Sequence, residues 1–365
     1  EIGSGLVGSE MCIRDRYYRQ IRKNWDRIAK PLDGMGIFEH ITAKIGQLQQ
    51  TDMPVTDKNI VVVLCADNGI VEEGISQSDQ SVTAVCAENI AKGRSTVGIM
   101  ADSIGADVAV VDIGINSKEQ FDGVEDQKIS PGTKNFAKEP AMTVKQVEQA
   151  IHTGIQLVKK CKDAGYGMIA TGEMGIGNTT TSSAVAAAML GCEAEVVTGK
   201  GAGLPNDKIK HKVKIIDAAL EKYNLKNRKQ KERADKEYVI SVLSCVGGYD
   251  IAGMCGIFLG GIEYGMPIVI DGFISMVAAL AAKIINPAAA ECMIPSHISR
   301  EPGAALLAKE FAIEPVIMAD MALGEGTGAV MMMSLIDTAN HVYKESYSFD
   351  EAGVGQYERY KTGEE

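Results

Sequence analysis

Asn59-Ile60-Val61-Val62-Val63-Leu64-Cys65-Ala66, closed by Asp67-Asn68-Gly69, is the stretch that decides the fold. Seven consecutive apolar positions, Ile60 to Ala66, without alternation are the pattern of a strand buried on both faces. The Asp-Asn-Gly that follows is a turn signal. A strand of that kind needs helices above and below it. The flanking segments supply them: Tyr17–Ala29, with the single tryptophan Trp25, and Phe38–Gln50 before it, and Val82–Ala101 after it, with Gly93 and Gly98 as soft points.

The alternation continues along the chain. Ala106–Gly114 reads as a second buried strand, Val144–Ala164 as a helix, and Gly167–Ala170 as a strand that leads into a Gly-rich loop and then helix Thr181–Leu190. Val239–Val246 is a further strand candidate and Tyr249–Tyr264 a Gly-rich, close-fitting helix. Pro267–Ile270 reads as a short strand, and Ile274–Ile285 as an Ala-rich helix. Strands alternating with helices predict an α/β fold with a largely parallel sheet flanked by helices. In such sheets ligands sit beyond the carboxyl ends of the strands. Asp67-Asn68-Gly69, Glu173–Thr181 and Asp271-Gly272-Phe273 all fall there.

Composition narrows the partners. The 365 residues are 45% hydrophobic and 23% charged, enough for one large core or two closely associated ones. The net charge of −11 excludes nucleic acid as a natural partner, the basic run Lys222–Lys236 being short. No apolar run reaches membrane-spanning length without polar interruption. The eight cysteines are scattered with no C-x-x-C, which reads as reduced thiols in a cytosolic protein. The five histidines form no i, i+3 or i, i+4 pair, so no metal site is expected.

Residues 1–16 lack clean periodicity and resemble translated adapter sequence. We read them as a non-native leader, residues 17–345 as one catalytic unit, and 346–365 as a loose tail. The polar stretch Leu225–Lys236 reads as an exposed insertion or helix.

Several segments carry candidate chemistry. Leu323-Gly324-Glu325-Gly326-Thr327-Gly328 sets one carboxylate between glycines, ahead of the apolar helical run Ala329–Ile336. A poorly solvated Glu has raised proton affinity, which suits a general base. Read alone, the same run is a loop with a carboxylate near a helix N-terminus. Gly172-Glu173-Met174-Gly175-Ile176-Gly177-Asn178-Thr179-Thr180-Thr181 follows a strand and opens a helix. Backbone N–H groups, the helix N-terminus and threonine hydroxyls together make an anion cradle. A plain helix cap by Asn178 or a threonine is the alternative. Thr198–Leu204 is a second donor-rich loop, followed by Lys208, Lys210 and Lys212, one of which could neutralise a phosphate. Asp271 ends a strand, where it could hold ribose hydroxyls, face a developing cation, or cap a helix. Gly74-Ile75-Ser76-Gln77-Ser78 could line a substrate. The Ser296-His297 pair lacks the G-x-S-x-G elbow of a serine hydrolase.

In order and spacing these segments resemble the nicotinate-nucleotide:dimethylbenzimidazole phosphoribosyltransferase family, over about residues 17–345. The carrying residues are Ala66-Asp67-Asn68-Gly69, Gly132-Thr133-Lys134-Asn135, Gly172–Thr180, Val246-Gly247-Gly248-Tyr249-Asp250, Asp271-Gly272-Phe273, Pro295-Ser296-His297 and Leu323–Gly328. The resemblance implies a Rossmann-like core with a smaller helical subdomain from the terminal segments. It also implies a homodimer, no metal or organic cofactor, and transfer of phosphoribose from nicotinate mononucleotide to dimethylbenzimidazole in cobalamin assembly. On the same resemblance Glu325 is the general base and Glu173 a second carboxylate. Gly175, Gly177, Asn178, Thr179 and Thr180, with Gly201 and Lys212, would cradle the phosphate. Asp271 and Ser296 would hold the ribose and phosphate side. Ser78, Cys86 and Leu323 would border the base pocket.

Two positions depart from the family pattern: Asn68 stands where the family usually has His, and Cys86 where Gln is common. Other benzimidazoles, purines or phenols are therefore open as acceptors. A non-catalytic nucleotide- or azole-binding protein of the same fold is the competing expectation. A dinucleotide oxidoreductase fails because no G-x-G-x-x-G follows the first strand.

Overall fold

The computed structural model describes residues 4–201, 203, 205–311 and 314–359, without the side chains of 4–14, 206 and 207. Most of the suspected leader therefore lies outside the described side chains, and residues 1–3 lie outside altogether.

The chain divides into two compact units, Lys58–Met332 and the terminal segments Glu1–Asp57 with Met333–Glu365. The larger unit holds a six-stranded sheet, β1 (Asn59–Ala66), β2 (Asp107–Gly114), β3 (Val124–Asp126), β4 (Met168–Met174), β5 (Ile268–Ile270) and β6 (Met293–Pro295). Its order is β3-β2-β1-β4-β5-β6, with every neighbour parallel. That is the doubly wound order, and the direction of strand addition reverses between β1 and β4. All eight residues of β1 are buried, as its unbroken apolar run requires.

The elements largely follow the sequence reading, with three differences. Val239–Val246 is not a strand but part of helix Lys236–Val246. Asp235 caps it by accepting from the Glu237 N–H, and the buried Val239, Val242, Leu243 and Val246 recur at helical spacing. The expected helix Val82–Ala101 is two helices, Ser81–Ala91 and Thr96–Ser103. Gly93 turns the chain at φ +67°, and the Ser95 hydroxyl caps the second piece by accepting from the Gly98 N–H. β4 runs on to Met174, so Glu173 lies in a strand and not in the loop beyond it. Leu225–Lys236, read as an exposed insertion or helix, carries the exposed short helix Gln230–Arg233 and the start of helix Lys236–Val246. The three-residue strands β3 and β6 are too short to leave a period in the sequence.

The smaller unit is helical. Its cluster joins Ile21, Trp25, Ile28, Ala43 and Tyr343, with the Trp25 and Tyr343 rings 5.1 Å apart. Glu39 is fully buried there, held by Arg22 at 2.7 Å and Lys30 at 2.5 Å. In the C-terminal segment Phe349 is buried, and Arg359 pairs with Asp26 and Asp33 at 2.8 Å each.

Candidate active site

β1 and β4 run side by side with Leu64 opposite Glu173 and Cys65 opposite Met174. Beyond their carboxyl ends, at the reversal point of the sheet, lies a cleft of about 190 Å³. Its walls bring together Glu173, Gly175, Asn178, Thr179, Gly201, Asp271, Leu323 and Glu325 from the sequence expectation. Gly177 borders only a smaller recess alongside. Thr180, Lys212, Ser296, Ser78 and Cys86 do not line the cleft.

Glu325 is the middle of a run of left-handed residues. Gly324, Glu325 and Gly326 have φ of +86°, +61° and +95° in succession. A side-chain-bearing residue in that region costs roughly 1 kcal/mol or more, which surrounding contacts must offset. Gly172 on β4 lies directly under it, since a Cβ there would overlap the Glu325 carbonyl oxygen. Burial raises the proton affinity of the Glu325 carboxyl and the Asp271 charge adds to it, while the Val97 backbone N–H pulls the other way. Its Oε2 is buried without a hydrogen-bond partner. An acceptor with a free lone pair in a poorly solvated wall is what a proton-abstracting group needs.

Asp271, just past β5, holds this loop. Its Oδ1 accepts from the backbone N–H of Gly328 at 2.8 Å and Ala329 at 3.2 Å, and its Oδ2 from Gly326 at 3.2 Å. The carboxylate therefore caps helix Thr327–Glu345, not the helix that follows Asp271 itself. Burial pushes its proton affinity up, against His297 and the three N–H donors.

Glu173 is buried in the cleft wall. Burial, then the charges of Asp250 and Asp271, push its carboxyl well above the ordinary range, favouring the neutral acid. The amide of Asn178 donates to both Glu173 and Asp250, the latter at 3.2 Å. Asn178 is thus a brace between two acids, with its donors directed inward. Thr180 is fully buried and its hydroxyl finds no partner. Thr179 alone of the threonines Thr179–Thr181 borders the cleft.

Lys212 lies behind Thr179, outside the cleft wall. It is 1% exposed, and its Nζ donates to Thr179 Oγ1 at 3.0 Å and to the Gly199 carbonyl at 3.4 Å. Burial pushes its ammonium down to about 8. Ser296 is buried behind Asp271, donating to the Asp271 carbonyl at 3.3 Å. Cys86 lies near enough to Glu325 for that charge to add to the upward push that burial gives its thiol. Asn68 packs against Gly175 and Gly177, and its Oδ1 accepts from Thr181 Oγ1 in the following helix at 2.8 Å.

Three further site residues escaped the sequence reading. Asp250 was visible only as part of a glycine-bounded segment. His297 lines the cleft with its Nδ1 3.1 Å from Ser296 Oγ and 4.0 Å from Asp271 Oδ1. Its neighbour Ser296 drew attention to hydrolase chemistry instead. Glu301 lines the cleft and accepts from the Gly201 N–H at 3.1 Å, with nothing in its sequence surroundings to mark it. Among the described residues no group of three or more His, Cys, Asp or Glu could hold a metal ion. No helix there is long and apolar enough to cross a membrane.

A glycine-bounded helix N-terminus beside carboxyl groups lies at the switch point of a doubly wound sheet, the general position of ligand sites in such folds. A family model described as phosphoribosyltransferase matches residues 13–354. The nicotinate-nucleotide–dimethylbenzimidazole phosphoribosyltransferase of Clostridium acetobutylicum is 41% identical over 342 residues, 94% of this chain and 95% of that protein. The protein of the same name from Acetivibrio thermocellus is 39% identical over 338 residues, 93% of this chain and 94% of its own. The crystal structure of CobT from Thermus thermophilus superposes with a TM-score of 0.86 at 33% identity, covering 94% of this chain and 100% of that one. The chain belongs to the nicotinate-nucleotide–dimethylbenzimidazole phosphoribosyltransferase family.

Proposed function

We propose that this protein transfers the phosphoribosyl group of nicotinate mononucleotide to dimethylbenzimidazole or a related base, in assembly of the cobalamin lower ligand. The products are nicotinate and α-ribazole phosphate. The observation that carries the reading is Glu325, a carboxylate with raised proton affinity and a free oxygen, held in a left-handed turn over the cleft.

The chemistry follows from that group. One azole nitrogen attacks C1′ of the ribose while the C1′–pyridinium bond breaks, its electron pair returning to the nicotinate ring nitrogen. Attack from the opposite face inverts the anomeric centre. The proton on the other azole nitrogen passes to Glu325, so no positive charge is left on the product base. A positioned base of this kind contributes about 10²–10⁴-fold. Glu173, as a neutral acid, donates a hydrogen bond to the sugar, and Asp250 keeps negative charge near the developing oxocarbenium centre. Thr179, Gly175 and Gly201 with Lys212 hold the phosphate and fix the ribose in line. Asp271, Asn178 and Ser296 position these groups from behind. Leu323 borders the base side, and Cys86 lies outside the cleft wall, near Glu325.

The protein acts as a homodimer in the cytosol. Val85 and Ile99 on helices Ser81–Ala91 and Thr96–Ser103 are 58% and 62% exposed, apolar surface that a second copy would cover. The seven described cysteines are all free. Light scattering of the purified protein tests the dimer.

The test of the reaction is nicotinate release from nicotinate mononucleotide with and without dimethylbenzimidazole, with the nucleotide product weighed by mass spectrometry. Azole-dependent release and a ribazole phosphate mass support the reading. Binding without release with any azole or phenol contradicts it and favours a non-catalytic binding protein.

A further inference from the structure

Glu301 occupies the Gly201 N–H at the edge of the cleft. Its Oε1 accepts from the Gly201 N–H at 3.1 Å, and its Oε2 is buried with no hydrogen-bond partner. Gly201 lies against Thr179, since a Cβ on it would stand 2.6 Å from Thr179 Oγ1. The same Oγ1 accepts from Lys212 Nζ at 3.0 Å. Gly201, Thr179 and Lys212 are therefore linked in one chain of neighbours, with the Gly201 N–H, the Thr179 hydroxyl and the Lys212 ammonium available as donors. Among the described residues no carboxylate is within ion-pair distance of the buried Lys212 ammonium. Glu301 is the charge that nonetheless supports its protonated form.

We propose that Glu301 is the resident occupant of this anion cradle, and that a nucleotide phosphate binds by displacing it. Glu301 is then a specificity-determining residue for the phosphorylated donor. The proposal rests on the reading that this cleft takes a nucleotide phosphate. A phosphate offers several oxygens, enough to satisfy the Gly201 N–H, the Thr179 hydroxyl and the Lys212 ammonium together. The Glu301 carboxylate reaches only the first and leaves its other oxygen unsatisfied. A donor lacking phosphate has nothing to exchange for the carboxylate and leaves it in place. Glu301 also lines an adjoining cleft of about 780 Å³ with Lys200 and Arg300. The displaced side chain has both room and cationic partners there.

The test uses Glu301→Gln, which keeps a neutral acceptor for Gly201 and removes the competing charge. Inorganic phosphate, nicotinate mononucleotide and the unphosphorylated nicotinate riboside are titrated calorimetrically into the wild-type protein and the variant. We expect phosphate and mononucleotide to bind the variant about tenfold more tightly, the order of one charge-assisted hydrogen bond no longer given up on binding, with riboside affinity unchanged. Phosphate affinity that is unchanged or weaker in the variant overturns the proposal. A crystal of the wild-type protein soaked in phosphate gives a check independent of how the variant folds. The expected result is phosphate on Gly201 and Lys212 with Glu301 turned away. Glu301 still on Gly201, or phosphate seated elsewhere, overturns it. Azole-dependent nicotinate release by the wild-type protein is measured in parallel. If that persists while phosphate affinity is insensitive to Glu301, only the role of Glu301 falls.

Discussion

Replacing Asp271 by Asn separates positioning from proton transfer. The Asp271 carboxylate takes three backbone N–H groups of the turn that carries Glu325, at 2.8, 3.2 and 3.2 Å. An Asn side chain keeps one oxygen, which can serve Gly328 and Ala329, and turns an NH₂ toward the Gly326 N–H. One bond is lost and a buried donor is left unpaired, which costs about 1–3 kcal/mol. Loss of charge at the helix N-terminus adds up to about 2 kcal/mol. The burial cost that the Asp271 charge now bears is relieved, which works in the opposite direction. We expect a net destabilisation of about 2 kcal/mol, seen as a Tm lower by a few degrees. The larger effect is on rate. The turn holds three successive residues at positive φ, and without its tether Glu325 moves from its place over the cleft. Misplacement by about 1 Å costs on the order of 100-fold in turnover. Steady-state kinetics with calorimetry on the same protein give both numbers. A low kcat with nearly unchanged KM for nicotinate mononucleotide fits the account. A variant with wild-type kcat and wild-type Tm refutes the claim that Asp271 holds the base in position.

Three other expectations follow from the same geometry. Thr180→Val removes a buried hydroxyl that has no partner, so it should leave nicotinate mononucleotide affinity intact and raise stability by about 1 kcal/mol; a large loss of affinity by calorimetry would return Thr180 to the phosphate cradle. The acid side of the kcat/KM profile should fall at a pH above the ordinary carboxylate range, because burial raises the proton affinity of Glu325 and its charged form is the active one; the Asp271 charge adds to that shift, so in Asp271→Asn the fall should move to lower pH. For stability, burial raises Asp67 and Asp250 from 3.8 to about 6. Their stabilising contribution is fully present below the unfolded value and is lost as pH rises through about 6, by on the order of 3 kcal/mol for each group. Denaturant melts from pH 4 to 8 read this directly, and mutation of Asp250 to Asn should flatten the slope; a stability curve rising across that window contradicts it.

The larger architecture was legible because burial on both faces leaves an unbroken apolar run, as in Val61–Cys65, and because such runs alternate with helical periods. The Val239–Val246 segment misled because a short apolar run has no unambiguous period. Its helical spacing became decisive only with Asp235 read as a cap. At the site, the residue types at the strand ends pointed to the crevice where the direction of strand addition reverses, and Glu325 stood out through its flanking glycines. The direction of each side chain was not legible. Asn178 and Thr180 read as phosphate donors, yet one braces Glu173 against Asp250 and the other is wholly buried. Asp271 read as a ligand for ribose, yet its oxygens are taken by N–H groups more than fifty residues along the chain. Glu301 became visible only when the fold brought it 3.1 Å from Gly201. Pairings between residues far apart in the chain leave no mark in a local pattern.

The central claim is that Glu325 accepts the proton of the incoming base. Single-turnover nicotinate release by Glu325→Gln, with nicotinate mononucleotide affinity measured alongside, tests it most directly. The account predicts unchanged nucleotide binding and transfer slower by about 10²–10⁴-fold. Transfer at the wild-type rate in that variant would mean that another group takes the proton.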